Sequence, residues 1–374
     1  MPEIIVKEVR SRAELREFIY LPAKIHKGEA NWLPPLYSDE WHLFDKKKNR
    51  SYSYSDAEFF LAWKDNKPVG RIMTLINNRY NEIKKEKNGR FSFMECYNDR
   101  EVFHALITKA EEWLRNRGMV KIVGPMGFSD KDPQGFQIEG FEYPFLFTAP
   151  TNSPYMPAML EAEGYTKEID LVNYNMPVPD KDPPIYLKAY ERYSRNSNIT
   201  ISEFKSKKEL KPVIIPVLEL MNSTFVDIYG YVPLNDAEKV ELAKRYLPIL
   251  DPAFIKVAQT KNELVGFIVA LPDMTTGIIE ARGKLFPFGL FKILRSMKKS
   301  TKLMMMLGGI KEEYRGKGID VMMGMKLLDS ARKQNKTILD SHLIMEENPK
   351  MRAEYERMNG KIVKRFRIFQ KSLV

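Results

Sequence analysis

The chain has 374 residues, 44% of them apolar, with a net charge of +11 and a pI near 9.3. That length exceeds one ordinary core and suits two domains, while the positive balance implies an anionic partner. A lone cysteine, Cys96, excludes an internal disulfide, the scattered His26, His42, His104 and His342 make no zinc cluster, and no metal is expected. Neither the N-terminal MPEIIVKEV nor any later stretch resembles a signal peptide or a run of roughly 18 apolar residues, so a cytoplasmic protein is expected.

Taken in chain order, the elements repeat. Residues 4–15, IIVKEVRSRAEL, read as a strand entering a helix and return at 199–210 as ITISEFKSKKEL. Ile4/Ile199, Glu8/Glu203, Ser11/Ser206, Glu14/Glu209 and Leu15/Leu210 match in one register. The strand–turn–strand pattern FFLAWKDNKPVGRIM (59–73) returns as FIKVAQTKNELVGFIV (254–269), Val69-Gly70 falling on Val265-Gly266. YNDREVFHALITKAEEWLRNRG then reads as a loop and a long helix. GPMGFSDKDPQGFQIEGFEYPF (124–145) reads as an insertion, either a lid or substrate wall or a structural loop between domains. Asn152 and Gly164 stand twelve residues apart, as do Asn348 and Gly360. Each half therefore reads as strand, helical region, hairpin, strand, long helix, strand, short helix and final strands. The expected class is α/β (α+β), each half a mixed twisted sheet flanked by helices. The Pro-rich stretch with Pro177, Pro179, Pro183 and Pro184 sets the boundaries: a first domain over 1–180, a linker over 181–198 and a second domain over 199–374.

From Arg282 to Lys311 no acidic residue occurs, and Lys284, Lys292, Arg295, Lys298, Lys299 and Lys302 interleave with phenylalanines and leucines. Next comes KLMMMLGGI (302–310), read as a buried strand, then KEEYRGKG, then the helical IDVMMGMKLLDSARKQ (319–334). Gly316 and Gly318 remove Cβ atoms that would keep an anion from backbone amides, the helix aims its free N–H groups at that anion, and Arg315 and Lys317 add charge. The loop reads as a pyrophosphate cradle. A P-loop would need glycine at 311 and Ser or Thr at 318, where Lys311 and Gly318 stand, and a dinucleotide fingerprint would need glycine where Val321 stands. At the corresponding place the first half has Asp99, Arg100 and Glu101, which should not seat a pyrophosphate.

Arg315-Gly316-Lys317-Gly318-Ile319-Asp320, between a strand and a helix, resembles the Arg/Gln-x-x-Gly-x-Gly/Ala acyl-CoA loop of the GNAT (Gcn5-related) superfamily, and the repeat extends the resemblance to a tandem of two such domains. The resemblance implies acyl-CoA as co-substrate, held by Arg315, Gly316, Lys317, Gly318, Ile319 and Asp320. It further implies that Asn348, with the amides of Gly309 and Ile310, holds the pantetheine arm, although Asn before Pro349 would equally serve as a helix N-cap. Tyr355, five residues before Gly360, matches the tyrosine that protonates the departing thiolate, the other reading being a half-buried packing aromatic; Met159 stands there in the first half. For the base that takes the ammonium proton, His342, Glu346, Glu347 and Glu280 are candidates, and His342 titrates nearest neutrality.

Together with LPDMTTGIIEARGKLFPFGLFKILRS and IMEENPKM in the second half, and MECYNDREV and the insertion in the first, these motifs resemble the bacterial ceramide-synthase-like branch of tandem GNAT proteins. That resemblance implies an acyl-CoA-dependent N-acyltransferase acting on a long-chain sphingoid base. Residues 284–302 suit a bilayer interface at the inner face of the membrane, the alternative being a helix packed on its own domain. Runs such as Met304-Met305-Met306 suit an adaptable acyl groove or a core. The rival functions are a small-amine acetyltransferase, a non-catalytic acyl-CoA-binding protein, and a tRNA-dependent aminoacyltransferase. The last has no need of the RGKG loop, and no nucleic-acid partner is expected.

Overall fold

The structure, a computed structural model, describes residues 3–29, 32–196 and 198–374. The first half runs β1 (Ile4–Glu8), α1 (Arg12–Ile25), α2 (Tyr37–Leu43), β2 (Ser55–Lys64), β3 (Lys67–Asn77), α3 (Asn78–Lys84), β4 (Asn88–Cys96), α4 (Arg100–Arg115), β5 (Lys121–Gly124), β6 (Phe136–Glu139), α5 (Tyr155–Ala162) and β7 (Thr166–Pro177). A helix α6 (Pro184–Asn196) occupies the stretch between the repeats. The second half runs β8 (Thr200–Glu203), α7 (Lys207–Thr224), α8 (Asp236–Tyr246), β9 (Ile255–Gln259), β10 (Leu264–Pro272), α9 (Thr275–Ala281), α10 (Gly289–Lys299), β11 (Lys302–Ile310), α11 (Ile319–Lys333), β12 (Ile338–Ser341), β13 (Ile344–Met345), α12 (Pro349–Arg357) and β14 (Lys361–Ser372). Among the described residues no helix is long and apolar enough to cross a membrane.

The matched residues of the repeat are the ones that local structure needs. Ser11 caps α1 in a capping box with Glu14, and Ser206 caps α7 by accepting from the Glu209 amide. Gly70 and Gly266 let the long helices lie close on the hairpins. A Cβ on Gly70 would come within 2.7 Å of Leu106 on α4, and one on Gly266 within 3.1 Å of Ile319 on α11.

All strands join one mixed sheet, ordered β1-β2-β3-β4-β5-β14-β7-β12-β11-β10-β9-β8, with β6 on β14 and β13 on β7. The two halves exchange their last strands. β14, from the second half, pairs with β5, whereas β7, from the first, pairs with β12, and β7 and β14 lie antiparallel from Gln370↔Thr166 to Lys361↔Asn175 at the centre. A pseudo-two-fold therefore passes between them. Each half completes the other's sheet, so the junction is backbone-bonded rather than a packed interface. Ion pairs reinforce it at the rim, among them Arg79–Glu238 at 3.2 Å and Arg245–Asp39 at 2.7 Å.

Candidate active site

β11 lies inside the sheet yet keeps one edge free. It pairs parallel with β12 only from Lys302↔Ile338 to Met305↔Ser341, while on its other edge it stays bonded to β10 as far as Ile310↔Gly266. Val269 and Ala270 oppose Leu307 and Met305, so Met306 is the extra residue of a β-bulge, which bends β11 away from β12. Met305 through Ile310 are accordingly only half-buried, although the strand is central. The result is a fork whose open arm, beyond Met305, has no strand paired on its β12 side among the described residues.

The RGKG loop stands at the outer end of that arm. Gly316 and Gly318 have φ of 74° and 75°, the left-handed region where a Cβ is disfavoured. Gly318 is the N-cap of α11 and no side chain caps the helix, which leaves its first-turn amides for an external anion. Arg315, Lys317 and Asp320 are exposed around it. The Arg315 Nε donates to the Ile310 carbonyl at 3.2 Å, tying loop to strand, and the Lys317 ammonium sits 4.9 Å from the centre of the Tyr314 ring. Ile319 is fully buried beneath. Gly309 lies so close to α7 that a Cβ would stand 2.7 Å from the Thr224 hydroxyl. One neighbour has no motif to betray it: Tyr193 of α6 rests on Gly318, where a Cβ would meet its ring at 1.9 Å.

Asn348 is the N-cap of α12, its side-chain oxygen accepting from the Met351 amide at 3.1 Å, while its amide nitrogen donates to nothing among the described residues. Tyr355 lies beneath the fork in one apolar cluster with Leu303 of β11 and Leu339 of β12, its ring stacked on Tyr174 at 5.4 Å. Its hydroxyl makes no hydrogen bond within the described residues, and burial alone raises its pKa. His342 sits at the vertex, its backbone N–H donating to the Met305 carbonyl at 3.0 Å. Its ring is enclosed yet partly open to solvent, and burial lowers its pKa below the ordinary 6.5 against smaller upward pulls from the Leu343 backbone and the Asp130 carboxylate. Glu346 is bound to Lys167 at 2.7 Å and to Arg365, with Lys167 foremost in holding its carboxyl below the usual range. Glu347 and Glu280 are exposed, the latter on α9. Of the four base candidates, His342 alone stands at the fork.

The insertion after β5 lies against the second half. Asp130 of the insertion acts on His342, and just beyond the insertion the Thr148 hydroxyl contacts the Met304 sulfur at 3.9 Å and Phe147 packs into the second half's apolar cluster. Lys364 of β14 pins it by donating to the carbonyls of Gly140 at 2.8 Å and Tyr143 at 3.0 Å. These residues lack any spacing signal, because strand exchange alone brings them to the second half.

The first half forms the same fork and fills it. β4 pairs with β5 only from Asn88↔Lys121 to Arg90↔Val123. Asp99 caps α4, accepting from the amides of Glu101 at 3.1 Å and Val102 at 3.3 Å, and pairs with Lys64 at 2.8 Å. The first half thus carries its own anion where the second half leaves amides bare. Asn152, the counterpart of Asn348, grips both the N–H and the carbonyl of Gln137 in β6, and the Tyr155 hydroxyl donates to the Cys96 carbonyl at 2.8 Å. Asp99→Ala is expected to cost about 1 kcal/mol of stability, the usual worth of an N-cap, without creating a second acyl-CoA site. Urea unfolding and calorimetric stoichiometry check the two halves of that expectation.

The strand-exchanged sheet with its two forks has the fold of tandem GNAT proteins. Among solved structures, a tandem GNAT protein from the clavulanic acid biosynthesis pathway, without AcCoA, matches with a TM-score of 0.58 at 11% identity, covering 100% of this chain and 99% of that one. A GCN5-related N-acetyltransferase from Sphaerobacter thermophilus matches with a TM-score of 0.53 at 12% identity, covering 99% and 96%. In sequence, the chain is 27% identical over 380 residues to the bacterial ceramide synthase of Caulobacter vibrioides (strain NA1000 / CB15N), spanning 99% of this chain and 98% of that protein. It is 28% identical over 376 residues to protein YghO of Escherichia coli (strain K12), spanning 99% and 95%. No family model matches the sequence.

Proposed function

We propose that the second half binds one acyl-CoA and transfers its acyl group to the amine of a long-chain sphingoid base, at or near the inner face of the cytoplasmic membrane. The observation that carries the reading is the asymmetry of the two forks: one is filled by its own chain, and the other is open beside an uncapped, glycine-led helix. In this reading the amides at the start of α11, with Arg315 and Lys317, hold the pyrophosphate. The amides of Gly309 and Ile310 and the free Asn348 side-chain nitrogen hold the pantetheine arm. Neutral His342 takes one proton from the ammonium, the freed amine attacks the thioester carbonyl, the C–S bond breaks, and the Tyr355 hydroxyl protonates the leaving thiolate and regains its proton from the second one shed by the new amide nitrogen, so that an amide and free CoA thiol result. The sphingoid acceptor is supported by full-length similarity, at 27% identity, to the bacterial ceramide synthase of Caulobacter vibrioides.

Thiol release from acetyl-, myristoyl- and palmitoyl-CoA, with sphinganine or spermidine as acceptor, tests the reading. Fastest release is expected with a long-chain thioester and sphinganine. Preference for acetyl-CoA and spermidine would turn it to small-amine acetylation, and tight CoA binding with no release under any pairing would turn it to a non-catalytic acyl-CoA-binding protein.

The pH profile follows from the direction of the His342 shift. Because the base works unprotonated and burial lowers its pKa, kcat/KM should hold as pH falls to the ordinary value of 6.5 and decline only below it. His342→Gln should depress the plateau and remove that limb, which initial rates with saturating acyl-CoA would reveal.

A further inference from the structure

Residues 275–299 present an exposed surface in which apolar and basic side chains lie together. α9 and α10 pack as a tight pair. A Cβ on Gly277 would stand 2.6 Å from the Ile293 Cα, the Gly277 N–H donates to the Ser296 hydroxyl at 3.1 Å, and a Cβ on Gly289 would lie 1.7 Å from the Lys284 carbonyl. Ile278, Ile293 and Met297 anchor the pair in the core. With those residues turned inward, the other apolar residues are forced out: Phe286, Phe288 and Phe291 are 80%, 72% and 67% exposed, and no other phenylalanine is exposed among the described residues. Leu290 and Leu294 lie exposed on α10 with Phe291. So many apolar groups in one place is not the scattered exposure of an ordinary surface.

Charge says what covers them. Lys284, Lys292, Arg295, Lys298 and Lys299 are all exposed, and none forms an ion pair among the described residues. Between α9 and α10 runs an open groove of about 480 Å³ lined by Thr276, Glu280, Lys292, Arg295, Lys299 and Ser300. Lys292 is steadied at its edge by donating to the Glu280 carbonyl at 3.1 Å. The patch therefore offers protruding aromatics beside a cationic groove sized for a small anionic headgroup. A second copy of the chain would bring cations against cations across a self-complementary interface, and nucleic acid would leave the phenylalanines in water. An anionic bilayer satisfies both sets, its phosphates meeting the lysines and arginine while the rings enter the acyl boundary.

We infer that the α9–α10 surface docks the protein on anionic phospholipid, with Phe286, Phe288 and Phe291 inserted and a lipid phosphate held in the groove by Lys292, Arg295 and Lys299. The surface leads into the N-terminal end of β11, the strand whose far end carries the open fork. Docking does not depend on which acyl group or amine the fork accepts.

The full chain, sedimented with vesicles of phosphatidylglycerol and phosphatidylcholine, should bind at low salt, release as salt rises, and ignore vesicles of phosphatidylcholine alone. Lys292→Glu/Arg295→Glu/Lys299→Glu should weaken binding by about a hundredfold, in line with the contribution of each basic residue near an anionic surface. Phe286→Ser/Phe288→Ser/Phe291→Ser should weaken it independently. A Phe288→Trp variant should gain blue-shifted emission, over the wild-type background, on anionic vesicles. Thermal unfolding of each variant confirms its fold, and all six substituted side chains are exposed. Absence of wild-type binding, undiminished binding by either triple variant, or an unshifted Phe288→Trp spectrum would overturn the inference. So would a lipid-free dimer, seen by sedimentation velocity, that the triple Phe variant dissolves.

Discussion

Replacing Gly316 with glutamate is expected to abolish acyl-CoA binding while leaving the chain folded. Gly316 lies in the left-handed region with open space where a Cβ would project, so the substitution meets no clash and costs only the backbone penalty of about 1–2 kcal/mol. Its carboxylate would stand among the amides and cations assigned to the pyrophosphate. Two like charges about 4 Å apart near a protein surface repel by about 4 kcal/mol, and after screening a loss of about a hundredfold or more in affinity remains. Gly316→Asn separates the causes, because asparagine tolerates the left-handed region and carries no charge, and it should bind nearly as the wild type does. Calorimetric titration with CoA reads all three proteins, and the wild type should take up one CoA per chain. A stoichiometry of two, or undiminished binding by Gly316→Glu, would place the pyrophosphate elsewhere.

Tyr355→Phe should lower kcat by about a hundredfold or more, the usual worth of a positioned acid, with CoA affinity unchanged within about a factor of two, since the hydroxyl serves only a transition state in which thiolate forms. The structure makes this a clean substitution. The hydroxyl holds no hydrogen bond within the described residues, and the phenyl ring can keep the stack on Tyr174, so stability should hold or rise slightly. The raised pKa keeps the group protonated through the working range, which suits an acid and not a base. A thioester of a more acidic thiol needs less help in leaving and should lose less rate in the variant. Wild-type turnover by Tyr355→Phe would return the residue to a packing role.

The two forks differ in what occupies them. In the first half the anion and the wedge are supplied from within, by Asp99 and by Tyr155. The displaced segment then serves the other half, where Asp130, Thr148 and Phe147 lie against the open fork. The first half's insertion and the residues just after it thus pack against the second half.

What the sequence by itself determined is whatever depends on neighbours along the chain. The repeat was legible because capping pairs such as Ser11 with Glu14 and Ser206 with Glu209, and close-packing glycines such as Gly70 and Gly266, are local requirements that recur wherever the same element recurs. The glycine loop before α11 was legible for the same reason, since left-handed backbone at Gly316 and Gly318 leaves a residue-level trace. Only the tertiary structure decided the rest. The exchange of β7 and β14 leaves no trace, because either pairing buries the same alternating residues and satisfies the same backbone groups. Residues 184–196, Pro-led and polar, read as linker, yet they fold as α6 because Tyr190 and Tyr193 find an apolar bed against α11. Whether the phenylalanines of 286–291 face the core or solvent could not follow from their spacing, since Ile293 and Met297 on the same helix took the inward places. Composition names the groups that must be buried or paired, and the packing of distant segments chooses which of them are.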